Sequence, residues 1–213
     1  MIGKLSRCAK RLIIAIQEWR FGISSEGLVF LDKYGISEPG CNYYNASSYI
    51  RFRQFLNHVK IRPGQDVFLD FGSGKGRAVI LAATYPFGKI IGIEFIEDLN
   101  AIARENVRKA MPKLVCRDIE LITSDARAYQ IPPDVTFIYI FHSFTGDVRA
   151  TVYSNIRKSL IEAPRTITLL YMIDPGWGQT DEVKDHLPGV KSETRVSLSK
   201  DILGIIFILG PDV

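Results

Sequence analysis

An acid closing an apolar run, followed by glycine at every second position, is suited to gripping a small charged ligand, and residues 66–77 (DVFLDFGSGKGR) have this form. Asp70 is the acid; Gly72, Gly74 and Gly76 have no Cβ, so they permit positive φ and let main chain approach a ligand closely. Two further apolar runs carry acids at their ends: KIIGIEF contains Glu94, twenty-four residues after Asp70, and IELITSD ends on Asp125 before Ala126. A fourth run, VTFIYIF, leads directly into His142, Ser143 and Phe144. A carboxylate ending a second strand can accept hydrogen bonds from both ribose hydroxyls. Any one of these signals is equally at home in a tight connection or a helix cap. Their order on consecutive strand-helix units instead makes one crevice at the carboxyl edge of an open α/β sheet, where such sheets bind ligands.

Alternating strands and helices must position these groups. The spacing predicts a helix from about 77 to 85 with Ala78, Val79, Ala82 and Ala83 inward, stopped by Pro86. A second spans 97–110 with Leu99, Ile102, Ala103, Asn106 and Ala110 inward, and a third about 147–160. RTITLLYMI reads as a fifth strand entering a turn with Asp174 and Trp177, and VKSETRVSL and ILGIIFILG as two strands joined by Ser-Lys-Asp. A nicotinamide dinucleotide fingerprint places a third glycine three residues after Gly74, where this chain has Arg77, which argues against a dinucleotide.

The pattern Asp70-x-Gly-x-Gly-x-Gly resembles the first motif of class I methyltransferases that use S-adenosylmethionine. The resemblance implies an α/β fold, a Rossmann-like doubly wound seven-stranded sheet ending in an antiparallel hairpin, here with an N-terminal helical extension. It implies that S-adenosyl-L-methionine, and its product S-adenosyl-L-homocysteine, contact Tyr44, Asp70, Gly72, Ser73, Gly74, Gly76, Glu94, Phe95, Asp125, Ala126 and His142. Asp70 and the glycine backbone would hold the amino-acid end, Glu94 the ribose and Asp125 the adenine amino group, with His142 and Phe144 at the catalytic end. An aromatic loop and helix before the first motif, GIE in the second strand and polar-x-Phe after the fourth are similar to one branch, over roughly residues 43–173. That branch includes the non-SET histone-lysine methyltransferases and bacterial lysine methyltransferase-like proteins. It carries Asn where this chain has His142; neutral imidazole likewise offers one donor and one acceptor.

At 213 residues, 46% hydrophobic and 23% charged, the chain suits one compact domain: a core at 61–213 behind a basic helix and aromatic lid segment at 1–60. No apolar run approaches the roughly 18 residues that span a bilayer, and the protein is expected in the cytoplasm. Cys8, Cys41 and Cys116 are odd in number without metal spacing, and are expected as buried or semi-buried thiols.

The net charge of +4 is unevenly placed, with nine Lys or Arg against four acids in residues 1–60 and eighteen against nineteen in the rest. Lys4, Arg7, Lys10 and Arg11 accompany Leu5, Cys8, Leu12, Ile16 and Trp19 at helical spacing, a basic amphipathic helix. Its apolar face is expected to pack on the domain; the alternative is docking on an anionic membrane, a nucleic acid or an acidic partner. The next helix has Tyr49, Phe52, Phe55, Leu56 and Val59 on its apolar side and Ser47 or Ser48 as cap. Tyr43, Tyr44 and Tyr49 either close the crevice against water or belong to the core.

Methyl transfer is an in-line displacement, so a protein contributes mainly by positioning, worth about 7–11 kcal/mol. A lysine acceptor must also lose a proton, at a cost of roughly 4–5 kcal/mol at pH 7 unless burial lowers its pKa. His142 is placed to accept that proton, or one from a hydroxyl. The expected acceptor is a protein lysine or a small molecule. A non-catalytic module that holds cofactor and docks a partner has the same motifs. A nucleic-acid methyltransferase draws on the basic N-terminus, but the segment after the fourth strand has no Asn/Asp-Pro-Pro-aromatic signature.

Overall fold

Branched and aromatic side chains fit a pleated surface buried on both sides, and the apolar runs accordingly fold as strands. The computed structural model describes residues 7–35, 40, 44–141, 143–173, 187, 189–199 and 202–211. Lys4, Leu5, Cys41, Tyr43, His142 and the turn at 174–177 lie outside the described residues. The strands are β1 (Val67–Phe71), β2 (Lys89–Glu94), β3 (Ile119–Thr123), β4 (Val135–Phe141), β5 (Ile167–Ile173), β6 (Val190–Ser199) and β7 (Ile202–Leu209). The helices are α1 (Arg7–Phe21), α2 (Tyr49–Leu56), α3 (Arg77–Ala82), α4 (Glu97–Ala110) and α5 (Gly146–Glu162). No helix among the described residues is long and apolar enough to cross a membrane.

The seven strands form one sheet in the order β3-β2-β1-β4-β5-β7-β6. Strands β1 to β5 run parallel, while β7 pairs antiparallel with both β5 and β6, which gives the expected closing hairpin. Strand order reverses beside β1, whose neighbours are β2 and β4, and a crevice opens at such a switch point. Side chains alternate across the sheet. Phe68, Tyr139 and Leu170 enter one core with α2, α3 and Phe21 of α1, and Leu69, Ile138 and Leu169 enter the other with Val152 and Ile156 of α5. Asp70 therefore shares the face of Phe68, opposite Tyr139 in register.

The roll of α1 differs from the expectation. Ile14 and Phe21 pack on the first core, whereas Leu12, Ile16 and Trp19 are 61%, 48% and 84% exposed. Cys8 is exposed as well, not semi-buried; Cys116 is buried. The cause is polar: Glu18, one turn after Ile14, is drawn inward by Arg77, and this ion pair turns the other apolar row to solvent. Two smaller differences follow from similar competition. Ser48 sits at the N-cap of α2 without a side-chain capping bond, while the hydroxyls of Ser47 and Tyr139 lie 2.9 Å apart. In α4, Ile102 is exposed and Asn100 and Val107 are buried, because Asn106 bonds the backbone of Ser24 and Lys75 and sets the inward face.

The base of β1 is pinned to β4 by Asp66. Its carboxylate accepts from the Arg62 backbone N–H (2.6 Å), the Arg62 guanidinium (2.6 Å) and the Thr136 hydroxyl (2.9 Å). Thr136 is the residue skipped where the β1–β4 register shifts, and its Oγ accepts from the Val67 N–H. Burial pushes the Asp66 carboxyl up, but the bonds from Arg62 and Thr136 outweigh it and hold it below the usual range. A depressed folded pKa gives stability that is present above the unfolded value, about 3.9, and lost as pH falls through the folded one. Asp66→Ala is expected to cost about 2 kcal/mol in urea unfolding at pH 7. The difference from the parent shrinks below about pH 4.

Candidate functional site

The loop between β1 and α3 is held by the end of β2. The N–H groups of Gly72 and Ser73 both donate to the Ile93 carbonyl at 2.9 Å. Glu94 then spans the gap: one carboxylate oxygen accepts from the Gly74 N–H (2.8 Å) and the other from Ile96 (3.0 Å). Two of the glycines are required by what lies against them. A Cβ on Gly72 (φ 78°) would stand 2.7 Å from the Ser143 Oγ, and one on Gly74 (φ 53°) 2.2 Å from the Tyr44 ring. The Tyr44 ring thus lies on the loop, whereas Tyr49 is core.

Tyr44 is held there by Arg77, the side chain in place of a dinucleotide glycine. Arg77 is 3% exposed. Its Nε donates to the Ser25 hydroxyl (2.8 Å), and its terminal nitrogens to Glu26 (2.6 Å), Glu18 (3.2 Å) and the Ser47 carbonyl (3.3 Å). The guanidinium lies 4.7 Å from the centre of the Tyr49 ring. Glu18 also accepts from the Ser25 N–H and hydroxyl, and the Tyr44 hydroxyl donates to the Ser25 carbonyl at 2.6 Å. Lys75, the loop's own cation, donates to the Glu26 carbonyl (2.7 Å) and lies 5.2 Å from the Tyr44 ring centre. None of these partners was assigned from sequence. The signal the sequence offers for them is a charged residue, Arg77, at an otherwise apolar helix start.

Beneath this cover is a small pocket, lined among others by Tyr44, Ser47, Asp70, Arg77, Tyr139 and Ser143. Asp70 is fully buried and makes no hydrogen bond or ion pair with the described residues; burial, then the nearby charge of Glu94, pushes its carboxyl up to about 8. Burial also raises Glu94, against the backbone N–H groups that hold its charged form. The pocket floor is therefore an acid in want of a cation. That fits the ammonium at the amino-acid end of S-adenosylmethionine.

The remaining assigned residues divide by location. Ser73 is buried with an unpartnered hydroxyl and lines the pocket, and Gly76 caps α3 in a left-handed conformation. Glu94, Phe95, Asp125 and Ala126 lie beyond the pocket at the ends of β2 and β3. Phe95 is exposed and Ala126 buried. Asp125 is half-exposed and bound by the Arg127 guanidinium (2.6 Å), which holds its carboxyl below the usual range. Phe144 stands edge-on to Phe71, ring centres 6.2 Å apart, in the second core. Ser143 takes the place at the pocket wall, its hydroxyl 2.8 Å from the Phe71 carbonyl.

Residues 68–162, which hold β1 to β4 and α5, match a family described as a methyltransferase domain. No curated protein matches the sequence significantly. Solved structures of similar fold include TrmN from Thermus thermophilus, with 17% identity, TM-score 0.54 and 76% of this chain covered. The chain spans about half of that protein (48%). An RNA methyltransferase from Salinibacter ruber in complex with S-adenosyl-L-homocysteine has 21% identity and TM-score 0.50, over 76% of this chain and 91% of that one. A SAM-dependent methyltransferase from Aquifex aeolicus has 17% identity and TM-score 0.60, over 77% and 94%. At such identities the structures establish the fold. The match over residues 68–162 and the shared fold agree: the core has the class I methyltransferase fold, with a methyltransferase domain matched within it.

Proposed function

We propose that this protein is an S-adenosylmethionine-dependent methyltransferase that transfers the methyl group to an amine, a protein lysine side chain in the first place, entering beside the end of β4. The observation that carries the reading is the buried Asp70 beneath Tyr44, unpartnered among the described residues, which gives the cofactor's ammonium a seat beside Ser143 at the end of β4. The aromatic loop before β1, GIE in β2 and the polar-x-Phe after β4 support the lysine branch.

Bound S-adenosylmethionine supplies an electrophilic methyl on a sulfonium; the protein's part is to hold, align and keep dry. Asp70 receives the ammonium end, and the backbone around Gly72 and Gly74 receives the carboxylate. Glu94 keeps lone pairs for ribose hydroxyls while bound to Gly74 and Ile96, and Asp125 keeps some for the adenine amino group while bound to Arg127. Tyr44, tied down through Ser25, excludes water. His142, next in sequence after β4, takes the proton that a neutral amine acceptor releases on methylation.

Measurements on Asp70, Arg77, the acceptor and His142 test this scheme. Asp70 must ionise to receive an ammonium, so affinity for S-adenosylmethionine in calorimetry should fall about tenfold per pH unit below about 8. The buried carboxyl's raised pKa means its stabilising, protonated form is lost as pH rises toward 8. Asp70→Asn should thus abolish cofactor binding while unfolding no earlier than the parent at pH 9; unaltered binding refutes the assignment.

Arg77→Met should remove the anchor of the cover. Loss of one partner of a fully buried pair costs about 3–5 kcal/mol. With Glu26 half-exposed, the expected loss in urea unfolding is about 2 kcal/mol, with weaker cofactor binding.

The acceptor is tested by radiolabel transfer to lysine-containing proteins and peptides, small amines and transfer RNA. Lysine labelling is expected, and labelling of RNA alone overturns the proposal. His142→Asn should keep cofactor affinity and lose about 100-fold in turnover; unchanged turnover removes the base role.

A further inference from the structure

Helix α1 carries two apolar rows, and the fold uses only one. Ile14 and Phe21 are packed on the first core, with Glu18 between them held by Arg77. On the other side Leu12, Ile16 and Trp19, at four- and three-residue spacing, stand in solvent, with Cys8 one turn before them. Exposed single hydrophobics are ordinary, but a contiguous row ending in an open tryptophan marks a contact surface. Its electrical setting is one-sided. Glu18 is the single acid in α1 and it is turned away from this face. Arg11 and Arg20 are exposed on the same helix, Lys113 donates to the Arg20 carbonyl at its end, and residues 1–60 hold nine Lys or Arg against four acids.

We propose that the outer face of α1 docks the protein on an anionic lipid surface, with Leu12, Ile16 and Trp19 entering the headgroup boundary and Arg11 and Arg20 lying over lipid phosphates. Charge complementarity selects this occupant. A second copy of the chain would bring Arg11 and Arg20 against their own kind. A nucleic acid would satisfy the arginines but leave Leu12 and Ile16 without an apolar partner. A lipid surface answers both, because amphipathic helices bury their apolar face shallowly and gain from each basic residue near anionic headgroups. A tryptophan suits that boundary in particular. A helix of 15 residues lying flat gives reversible attachment that salt weakens.

The test is co-sedimentation of the full chain with vesicles of phosphatidylcholine, alone and with phosphatidylglycerol. Binding to the anionic vesicles should exceed that to neutral ones by about thirtyfold, from the two exposed arginines alone, and should weaken in high salt. In a Trp177→Phe background, which leaves Trp19 as the one tryptophan, its emission should shift to the blue on binding. Leu12→Ser with Trp19→Ser should abolish sedimentation while leaving cofactor affinity intact, which also certifies the fold. Should that pair fold poorly, Arg11→Ala with Arg20→Ala reads the electrostatic part alone. Absence of binding by the parent, or equal binding by the serine variant, overturns the proposal. So does self-association or RNA retention that requires Trp19 and is not displaced by anionic vesicles.

Discussion

The burial of Arg77 organises the N-terminal half of the molecule. A guanidinium taken out of water must find partners for its donors, and the chain meets that need by folding residues 18–26 and 47 around it. Three consequences follow from one side chain. The roll of α1 is set, because Glu18 must face inward. Ser25 is placed where its carbonyl receives the Tyr44 hydroxyl, so an aromatic ring lies on Gly74. The first turn of α3 is tied to segments far away in sequence, in place of the glycine that would have packed helix on strand for a dinucleotide.

The crevice under this cover is left electrically unfinished. Asp70 and Glu94 are both buried carboxyls, and Arg77, a cation that lines the same pocket as Asp70, is spent on Glu18 and Glu26 instead. An uncompensated buried acid works against stability at neutral pH, and a fold with only marginal stability carries it where a ligand supplies the missing charge. Glu94 does double duty here. Its bonds to Gly74 and Ile96 keep the loop in shape before any ligand arrives, and they leave lone pairs for one.

Most of the α/β core was legible in the residues, for a physical reason: parallel strands buried on both faces read as unbroken apolar runs, so 135–141 is predicted and found without adjustment, as is the helix at 97–110. The glycine loop and the acids at 70 and 94 were legible because their chemistry is local to strand ends. The N-terminal arrangement was not. Leu12, Ile16 and Trp19 make a good apolar stripe by periodicity, and so do Ile14 and Phe21; spacing alone cannot say which faces the core. The choice is made by the Glu18–Arg77 pair across 59 residues, a contact that no periodicity encodes. Asp125 shows the same limit: its place at the end of β3 was readable, but not that Arg127, two residues on, would engage it. In both cases the sequence shows which groups are charged, and the fold decides which of them meet.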